Sequence, residues 1–256
     1  MRFQILSDLH LESPQAYDLY EFPVTAPNLA LLGDIGNVRD PGYFLFLRKQ
    51  LGRYERVFVV LGNHEPYYTD FSTARRKLGE FEKEWKGRLV FMDRTRCDVD
   101  ERVTVLGCTL FSAVPKDQKE NVGVGLNDFY KIEGWTVEHH DQAHREDLAW
   151  LNNEVKKIAG KEPHREVVIF THHSPTAADI ANNPRHKGSL ISAGFMTDLT
   201  NERCWTERCV KLWGFGHTHW NCEYKDEKTR KLVVANQRGY YFNQSLEYRP
   251  ERVYEV

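Results

Sequence analysis

Five short sequence clusters carry side chains of the types that bind metal ions. In chain order they read SDLH at residues 7–10, GD at 33–34, GNHE at 62–65, THH at 171–173 and GHTH at 216–219. They offer carboxylate, imidazole and amide donors, and none contains a cysteine. Such donors suit ions such as Mn, Fe, Zn or Ni in divalent or mixed-valence form and disfavour a structural zinc cage.

The candidate ligands outnumber the needs of one ion, because a tetrahedral site takes only about four. They are Asp8, His10, Asp34, Asn63, His64, His172, His217 and His219. The excess suggests two metal ions that share a carboxylate. Two ions about 3.5–4 Å apart can activate a bridging hydroxide and stabilise the oxygens of an in-line displacement at phosphorus. The chemistry indicated is hydrolysis of a phosphate ester.

A short apolar run precedes each cluster and predicts the element that positions it. The runs cover residues 3–6, 29–32, 57–61, 167–170 and 211–215. They are too short for independent helices and are typical of strands buried on both faces. In open α/β sheets ligands bind beyond the carboxyl ends of the strands, so the five clusters should converge. Further strands are predicted at 103–106 and 232–235.

Segments with helical spacing separate several strands, which is the pattern of an α/β protein. Helices are predicted at 41–51 after Asp40, at about 71–85 after Thr69 or Asp70, and at about 141–158 before Gly160. The segment 115–135 has no readable pattern and is a candidate cover for the site. One domain, residues 1–256, is expected.

Composition narrows the function classes. Lys and Arg total 35 against 37 Asp and Glu, with a net charge of −2 and no basic tail, so the electrostatic footprint of a nucleic-acid-binding protein is missing. The cysteines, 5 in number, show no C-x-x-C spacing and are expected to be reduced and packed. No apolar stretch approaches the ~20 residues of a membrane span, and a soluble cytoplasmic protein is expected.

The ordered set DLH, GD, GNHE, HH and GHTH resembles the signature blocks of the calcineurin-like metallophosphoesterases. The blocks extend from Asp8 to His219. Weaker local similarity, in HHSPT, NDFY at 127–130 and NQRGY at 236–240, is to a subgroup of small cytosolic members. The resemblance implies a four-layer α/β sandwich of two mixed β-sheets flanked by helices.

The resemblance also implies roles for the cluster residues. One metal would be held by Asp8, His10, Asp34 and His219, and the other by Asp34, Asn63, His172 and His217. His64 resembles the family's histidine that contacts the phosphate and assists the leaving oxygen without binding metal. The family often supports this histidine with an acidic residue after the second block, whereas Asn37 stands at the comparable place.

Three residues near the clusters are candidates for substrate binding, namely Asn37, His173 and Arg238. Consecutive residues of an extended segment point to opposite sides, so His172 is favoured as the ligand and His173 is placed beside the site or in the core. Arg238 follows a predicted strand and could hold a phosphate bidentately. Glu65 either ligates a metal or accepts hydrogen bonds from backbone amides.

Other polar segments of the sequence are predicted to lie on the solvated surface. His140 and His144 have helical spacing that resembles a metalloprotease site, but Asp141 replaces the required Glu, so a solvated helix face is favoured. The basic runs 75–77 and 228–231 are predicted to be solvated.

The leading interpretation is a dinuclear phosphoesterase that acts on a small phosphate ester. A diester is slightly favoured because it carries one charge fewer than a monoester and few basic residues lie near the clusters. One alternative is a non-catalytic protein-binding scaffold of the same fold, which the full donor set disfavours. The other is a nuclease of the superfamily, which would need DNA-binding regions. The oligomeric state stays open.

Overall fold

The computed structural model of the protein describes residues 1–256. The strands are β1 (Arg2–Leu6), β2 (Asn28–Leu32), β3 (Arg56–Val60), β4 (Leu89–Phe91), β5 (Thr95–Asp98), β6 (Val103–Cys108), β7 (Glu166–Thr171), β8 (Val210–Phe215), β9 (Cys222–Lys225), β10 (Leu232–Ala235), β11 (Gly239–Tyr240), β12 (Asn243–Gln244) and β13 (Val253–Glu255). The helices are α1 (Pro41–Leu51), α2 (Phe71–Glu84), α3 (Lys119–Gly125), α4 (Asp128–Lys131), α5 (Val137–Lys161) and α6 (Arg203–Thr206). No helix is both long and apolar enough to cross a membrane.

The strands form two large mixed sheets and a small hairpin. The first sheet has the order β13-β1-β2-β3-β4, and the second has the order β5-β6-β7-β8-β10-β9. The central neighbours β1, β2 and β3 are parallel, as are β6, β7 and β8. The edge strands β13, β5 and β9 are antiparallel to their neighbours. The carboxyl ends of the central strands of each sheet therefore lie together.

Each sheet is covered on both faces, which explains its apolar strands. A cluster of Phe3, Phe58, Phe170 and other buried side chains fills the space between the sheets. A second cluster packs the first sheet against α1 and α2, and a third packs the second sheet against α5 and α6. These layers run helix, sheet, sheet, helix and confirm the predicted four-layer α/β sandwich.

Local chemistry accounts for the helix boundaries. The Asp70 side chain caps α2 by accepting a hydrogen bond from the Thr73 amide at 2.9 Å, as predicted. The boundaries predicted for the third helix, α5, are wrong. Thr136 caps α5, which begins at Val137, four residues before the predicted start at about 141, and continues through Gly160 to Lys161. A glycine in the C′ position of a left-handed cap takes a positive φ angle, and Gly160 does not.

Two predictions of solvated surface are also wrong. His140 and His144 are buried because the face of α5 that carries them packs on the second sheet and its following loop. The His144 ring is within hydrogen-bond distance of the Leu110 carbonyl at 2.9 Å. Lys231, at the end of the basic run 228–231, is buried with its ammonium group over the Trp205 ring and donating to the Trp205 carbonyl.

Candidate metal centre

The five clusters meet at one edge of the two sheets. Asp8 and His10 follow β1, Asp34 follows β2, and Asn63 follows β3, all in the first sheet. In the second sheet, His172 follows β7, and His217 and His219 follow β8. Parallel strands present their carboxyl ends together, so the two packed sheets deliver all these side chains to the same place.

The ligand loops bend sharply at the strand ends. The backbone φ angle is positive at Asp8 (52°), His10 (47°), Asp34 (54°), His217 (69°) and His219 (49°). Non-glycine residues rarely take this left-handed conformation, and they do so mainly where the surrounding structure enforces it at functional sites. Five of the predicted ligands share it, so the loops hold their side chains in directions that an ordinary strand end would not allow.

Glycine is needed where the loops approach each other. A Cβ atom on Gly62 would lie 2.1 Å from Asp34 Oδ1, and one on Gly216 would lie 2.1 Å from Ser7 Oγ and 2.6 Å from Asp8 Oδ2. These distances are far below van der Waals contact. The glycines of GNHE and GHTH therefore let two carboxylates sit against neighbouring backbone.

The ligand atoms form three overlapping groups, one of which consists of His10, Asp34 and His64. In another group, His219 Nε2 is 2.9 Å from His10 Nε2 and 3.3 Å from Asp8 Oδ1. The remaining group consists of Asp34, His172 and His217, with His172 Nε2 3.5 Å from Asp34 Oδ1. The ligand atoms within each group are within 4.8 Å of one another.

Asp34 connects the group of His219 with the group of His172. Its Oδ2 atom is 3.9 Å from His10 Nε2, while its Oδ1 atom faces His172. Asn63 joins the group of His172, because its Oδ1 atom is 3.0 Å from His172 Nε2. The geometry brings together the seven predicted ligands, namely Asp8, His10, Asp34, Asn63, His172, His217 and His219.

The buried carboxylates of the centre are suited to binding cations. The ion-pair partners of the buried Asp8 and Asp34 carboxylates are all histidines, and no Lys or Arg pairs with either. Burial, followed by the charges of Glu65 and Asp8, raises the pKa of Asp34 well above its ordinary value. A divalent cation is the kind of charge that compensates such carboxylates.

The histidines are suited to the same role. Burial lowers the pKa of both His10 and His172 to about 4, so they are neutral near pH 7. A neutral imidazole has the free lone pair that a metal ion needs. The donor set therefore fits a dimetal site. A family model described as a calcineurin-like phosphoesterase matches residues 1–221.

The chain belongs to the calcineurin-like phosphoesterase family. It is a metal-dependent hydrolase of phosphate esters, and the recognition made from its five clusters is confirmed. An uncharacterised protein of Acanthamoeba polyphaga mimivirus is 26% identical over 264 residues, which cover 92% of this chain and 90% of that protein.

Two solved structures share the fold of this phosphoesterase. A phosphopantetheinyl hydrolase from Mycobacterium tuberculosis superposes with a TM-score of 0.67 at 17% identity, covering 93% of this chain and 89% of that one. A dimetal phosphatase from Danio rerio superposes with a TM-score of 0.57 at 13% identity, covering 94% of this chain and 88% of that one. At these identities the similarity concerns the fold alone.

The phosphoesterase orients His64 with a carboxylate that sequence reasoning missed. His64 Nδ1 is 2.8 Å from Glu12 Oε1, and the same oxygen is 3.3 Å from His10 Nδ1. Burial lowers the pKa of His64, whereas Glu12 acts in the opposite direction. The position of Glu12, two residues after the predicted ligand His10, is the signal that could have identified it.

Asn37 does not take the place of that carboxylate. Its side-chain amide donates to the carbonyl oxygens of Tyr67 at 2.8 Å and His64 at 3.3 Å, and its Oδ1 atom accepts from the Arg39 amide at 2.8 Å. All these partners are backbone atoms. The Asn37 side chain thus holds the turn that carries His64.

Arg238 and His173, the other two residues predicted to contact a substrate, are held by contacts within the protein. Arg238 Nη1 donates to the Leu9 carbonyl at 2.9 Å, and its guanidinium group stacks over the Tyr20 ring at 4.6 Å. His173 is fully buried, with its ring 4.2 Å from that of His217. Protein contacts thus engage both side chains, the guanidinium group of Arg238 and the ring of His173.

Two buried acids support the ligand loops. Asp128 Oδ1 accepts from Asn63 Nδ2 at 2.8 Å, which turns the Asn63 oxygen towards His172. Glu65 accepts from the backbone amides of Asp34, Ile35 and Gly62. The structure thus decides between the two roles considered for Glu65 in favour of the backbone acceptor.

The centre opens into a cavity of about 1170 Å³. Asp34, Asn63, His64, His217 and His219 line its floor. Residues 125–128, parts of the loop 177–196, Tyr240 and residues 243–246 contribute to its walls. Part of the segment 115–135 therefore borders the site, in agreement with the cover expected there.

Proposed function

We propose that the protein hydrolyses phosphate diesters at a dinuclear centre, with His64 assisting departure of the leaving alcohol. One ion would be held by Asp8, His10, Asp34 and His219, and the other by Asp34, Asn63, His172 and His217. The observation that carries the proposal is the position of Asp34 between two groups of metal-binding atoms. Bound ions would supply Lewis-acid activation of water and compensate charge on the phosphoryl oxygens.

His64 is placed to serve the leaving oxygen. The Glu12 carboxylate accepts hydrogen bonds only, so the Nδ1 atom of His64 carries a hydrogen and the Nε2 atom faces the centre. His64 Nε2 is 3.9 Å from Asp34 Oδ2, which puts it at the edge of the two ligand groups. An ester bound there would meet His64 Nε2 with one of its oxygens. His64 would act as the acid in its doubly protonated form, which the Glu12 carboxylate favours, and the proton on Nε2 would pass to the departing alkoxide.

The cavity favours a diester over a monoester. Its only Lys and Arg side chains are Arg185 and Lys187, both on the exposed loop 177–196 and not on the floor. A monoester dianion would bring a second negative charge to a floor that has no such cation. The volume of about 1170 Å³ exceeds what a phosphoryl group needs and leaves room for two organic substituents. The similar phosphopantetheinyl hydrolase is named for an ester with a large organic part.

The test is a substrate panel with Mn-reconstituted protein. Bis-p-nitrophenyl phosphate and cyclic nucleotides represent diesters, and p-nitrophenyl phosphate represents monoesters. We expect higher kcat/KM for the diesters and no turnover by Asp34→Asn, which serves as the control for contaminating activity. Faster turnover of the monoester would refute the diester preference. A protein that binds metal yet cleaves no ester would favour the scaffold interpretation instead.

A further inference from the structure

Tyr240 covers the metal centre from the side of the cavity. It belongs to the hairpin in which β11 pairs with β12, where Tyr240 lies opposite Asn243. Gly239 precedes it with a φ angle of 78°, and a Cβ atom there would lie 2.9 Å from the Asn243 carbonyl oxygen. The hairpin is therefore tightly closed at the position that aims the Tyr240 side chain.

The Tyr240 ring packs directly on a predicted ligand. It stacks on the His10 ring at 4.1 Å with an interplanar angle of 22°, and its centroid is 5.0 Å from that of His219. The residue lines the cavity and keeps 36% of its surface exposed. One face of the ring thus shields the centre, while the edge of the residue stays accessible to a ligand.

The Tyr240 hydroxyl lies beside His64 Nε2, the nitrogen that faces the centre. The hydroxyl oxygen is 3.1 Å from His64 Nε2, and Glu12 occupies the opposite nitrogen at 2.8 Å. Any ester oxygen that approaches His64 Nε2 must therefore come within reach of the Tyr240 hydroxyl as well. When His64 Nε2 carries a proton, the hydroxyl oxygen accepts a hydrogen bond from it and the hydroxyl hydrogen is free to be donated to a ligand.

We propose that Tyr240 is a substrate-contacting residue that donates a hydrogen bond from its hydroxyl to an oxygen of the bound ester beside His64. The inference rests on the proposed function. The floor of the cavity lacks Lys and Arg, so a neutral donor at this place supplies part of the recognition that cations provide in other phosphate sites. The hydroxyl also makes the site selective for an ester whose oxygen can accept a hydrogen bond on the hairpin side.

The test compares Tyr240→Phe with Tyr241→Phe, a matched loss of a hydroxyl from the next residue of the same hairpin, which is 48% exposed. Steady-state kinetics with bis-p-nitrophenyl phosphate should show kcat/KM lowered about 10- to 100-fold in Tyr240→Phe, the range for a hydrogen bond to a charged group. Tyr241→Phe should stay within about twofold of the wild type, which is the size of a change at a site without a substrate contact.

A second measurement does not depend on turnover. Calorimetric titration of metal-loaded protein with inorganic phosphate should show weaker binding in Tyr240→Phe than in Tyr241→Phe, with equal metal content by elemental analysis. Equal kinetics and equal phosphate affinity in the two variants would overturn the inference. Loss of metal in Tyr240→Phe would overturn it too, because the residue would then support His10 and not the ester. If the wild type cleaves no ester, the proposed function fails, while the phosphate titration still tests the contact.

Discussion

Glu12 offers a sharp test of how the centre orients its histidines, because one oxygen serves two rings. Glu12 Oε1 is 2.8 Å from His64 Nδ1 and 3.3 Å from His10 Nδ1. Glu12→Gln retains an oxygen in this place but removes the charge. The stabilising contribution of each hydrogen bond then falls from about 1.5–3 kcal/mol, typical of a charged partner, to about 0.5–1.5 kcal/mol, typical of a neutral one. The summed loss of about 2 kcal/mol corresponds to roughly a 30-fold fall in kcat/KM at 1.4 kcal/mol per tenfold.

The assay is hydrolysis of bis-p-nitrophenyl phosphate by the Mn-loaded variants, with metal content measured on the same samples. Glu12→Ala removes both hydrogen bonds and should fall below Glu12→Gln. Glu82→Gln is the matched control, since Glu82 accepts from the Phe91 amide at 2.9 Å at a distance from the centre. Wild-type activity in Glu12→Gln would refute the reasoning. A loss of activity that tracks a loss of metal would show that Glu12 acts through His10 alone.

Four further predictions follow from the described contacts. The wild type should bind about two equivalents of metal by elemental analysis, and Asp34→Asn should lose both; retention of both would exclude a shared carboxylate. His64→Ala should keep its metal but lose about 10²–10⁴ in kcat, with a smaller loss for a nitrophenyl ester than for an alkyl ester; equal losses would point to contact with the phosphoryl oxygens. Arg238→Ala should lower the free energy of unfolding in urea by about 1–3 kcal/mol, because the Leu9 carbonyl loses its donor, while KM stays unchanged; a raised KM would restore the substrate contact. Burial raises the pKa of Asp147 from 3.8 to about 7, so the folded protein holds this proton more tightly than the unfolded chain and stability is lost as pH rises between these values. Between pH 5 and pH 7 the wild type should therefore lose about 2–3 kcal/mol relative to Asp147→Asn in urea unfolding, and parallel pH profiles would contradict the raised pKa.

The strands and the candidate ligands could be predicted from the sequence for the same reason. A strand buried on both faces needs a continuous apolar run, and such a run stands out when a polar cluster ends it. The runs at 3–6 and 29–32 match β1 and β2 to within a residue at either end. Because ligands collect beyond the carboxyl ends of parallel strands, the clusters could be placed at one site before any distance was known.

The helix surfaces were less predictable. His140, His144 and Lys231 have polar side chains, and their spacing alone is compatible with solvent. Which face of α5 meets the second sheet is decided by packing, which buries both histidines. The end predicted for α5 is also wrong, since Gly160 does not take the left-handed conformation of a C′ glycine and the helix continues to Lys161.

The sequence by itself determined which residue types the centre contains, the order in which the strands deliver them and the family to which they belong. Tertiary structure decided what surrounds them. Glu12 contacts His64, Asn37 donates to backbone carbonyls, and Arg238 packs on Tyr20. Each contact joins segments that are far apart in the chain, and the spacing of residues within a motif does not encode it. The spacing of a motif shows which metal-binding side chains follow a strand. The direction in which each side chain points depends on its neighbours in the folded structure.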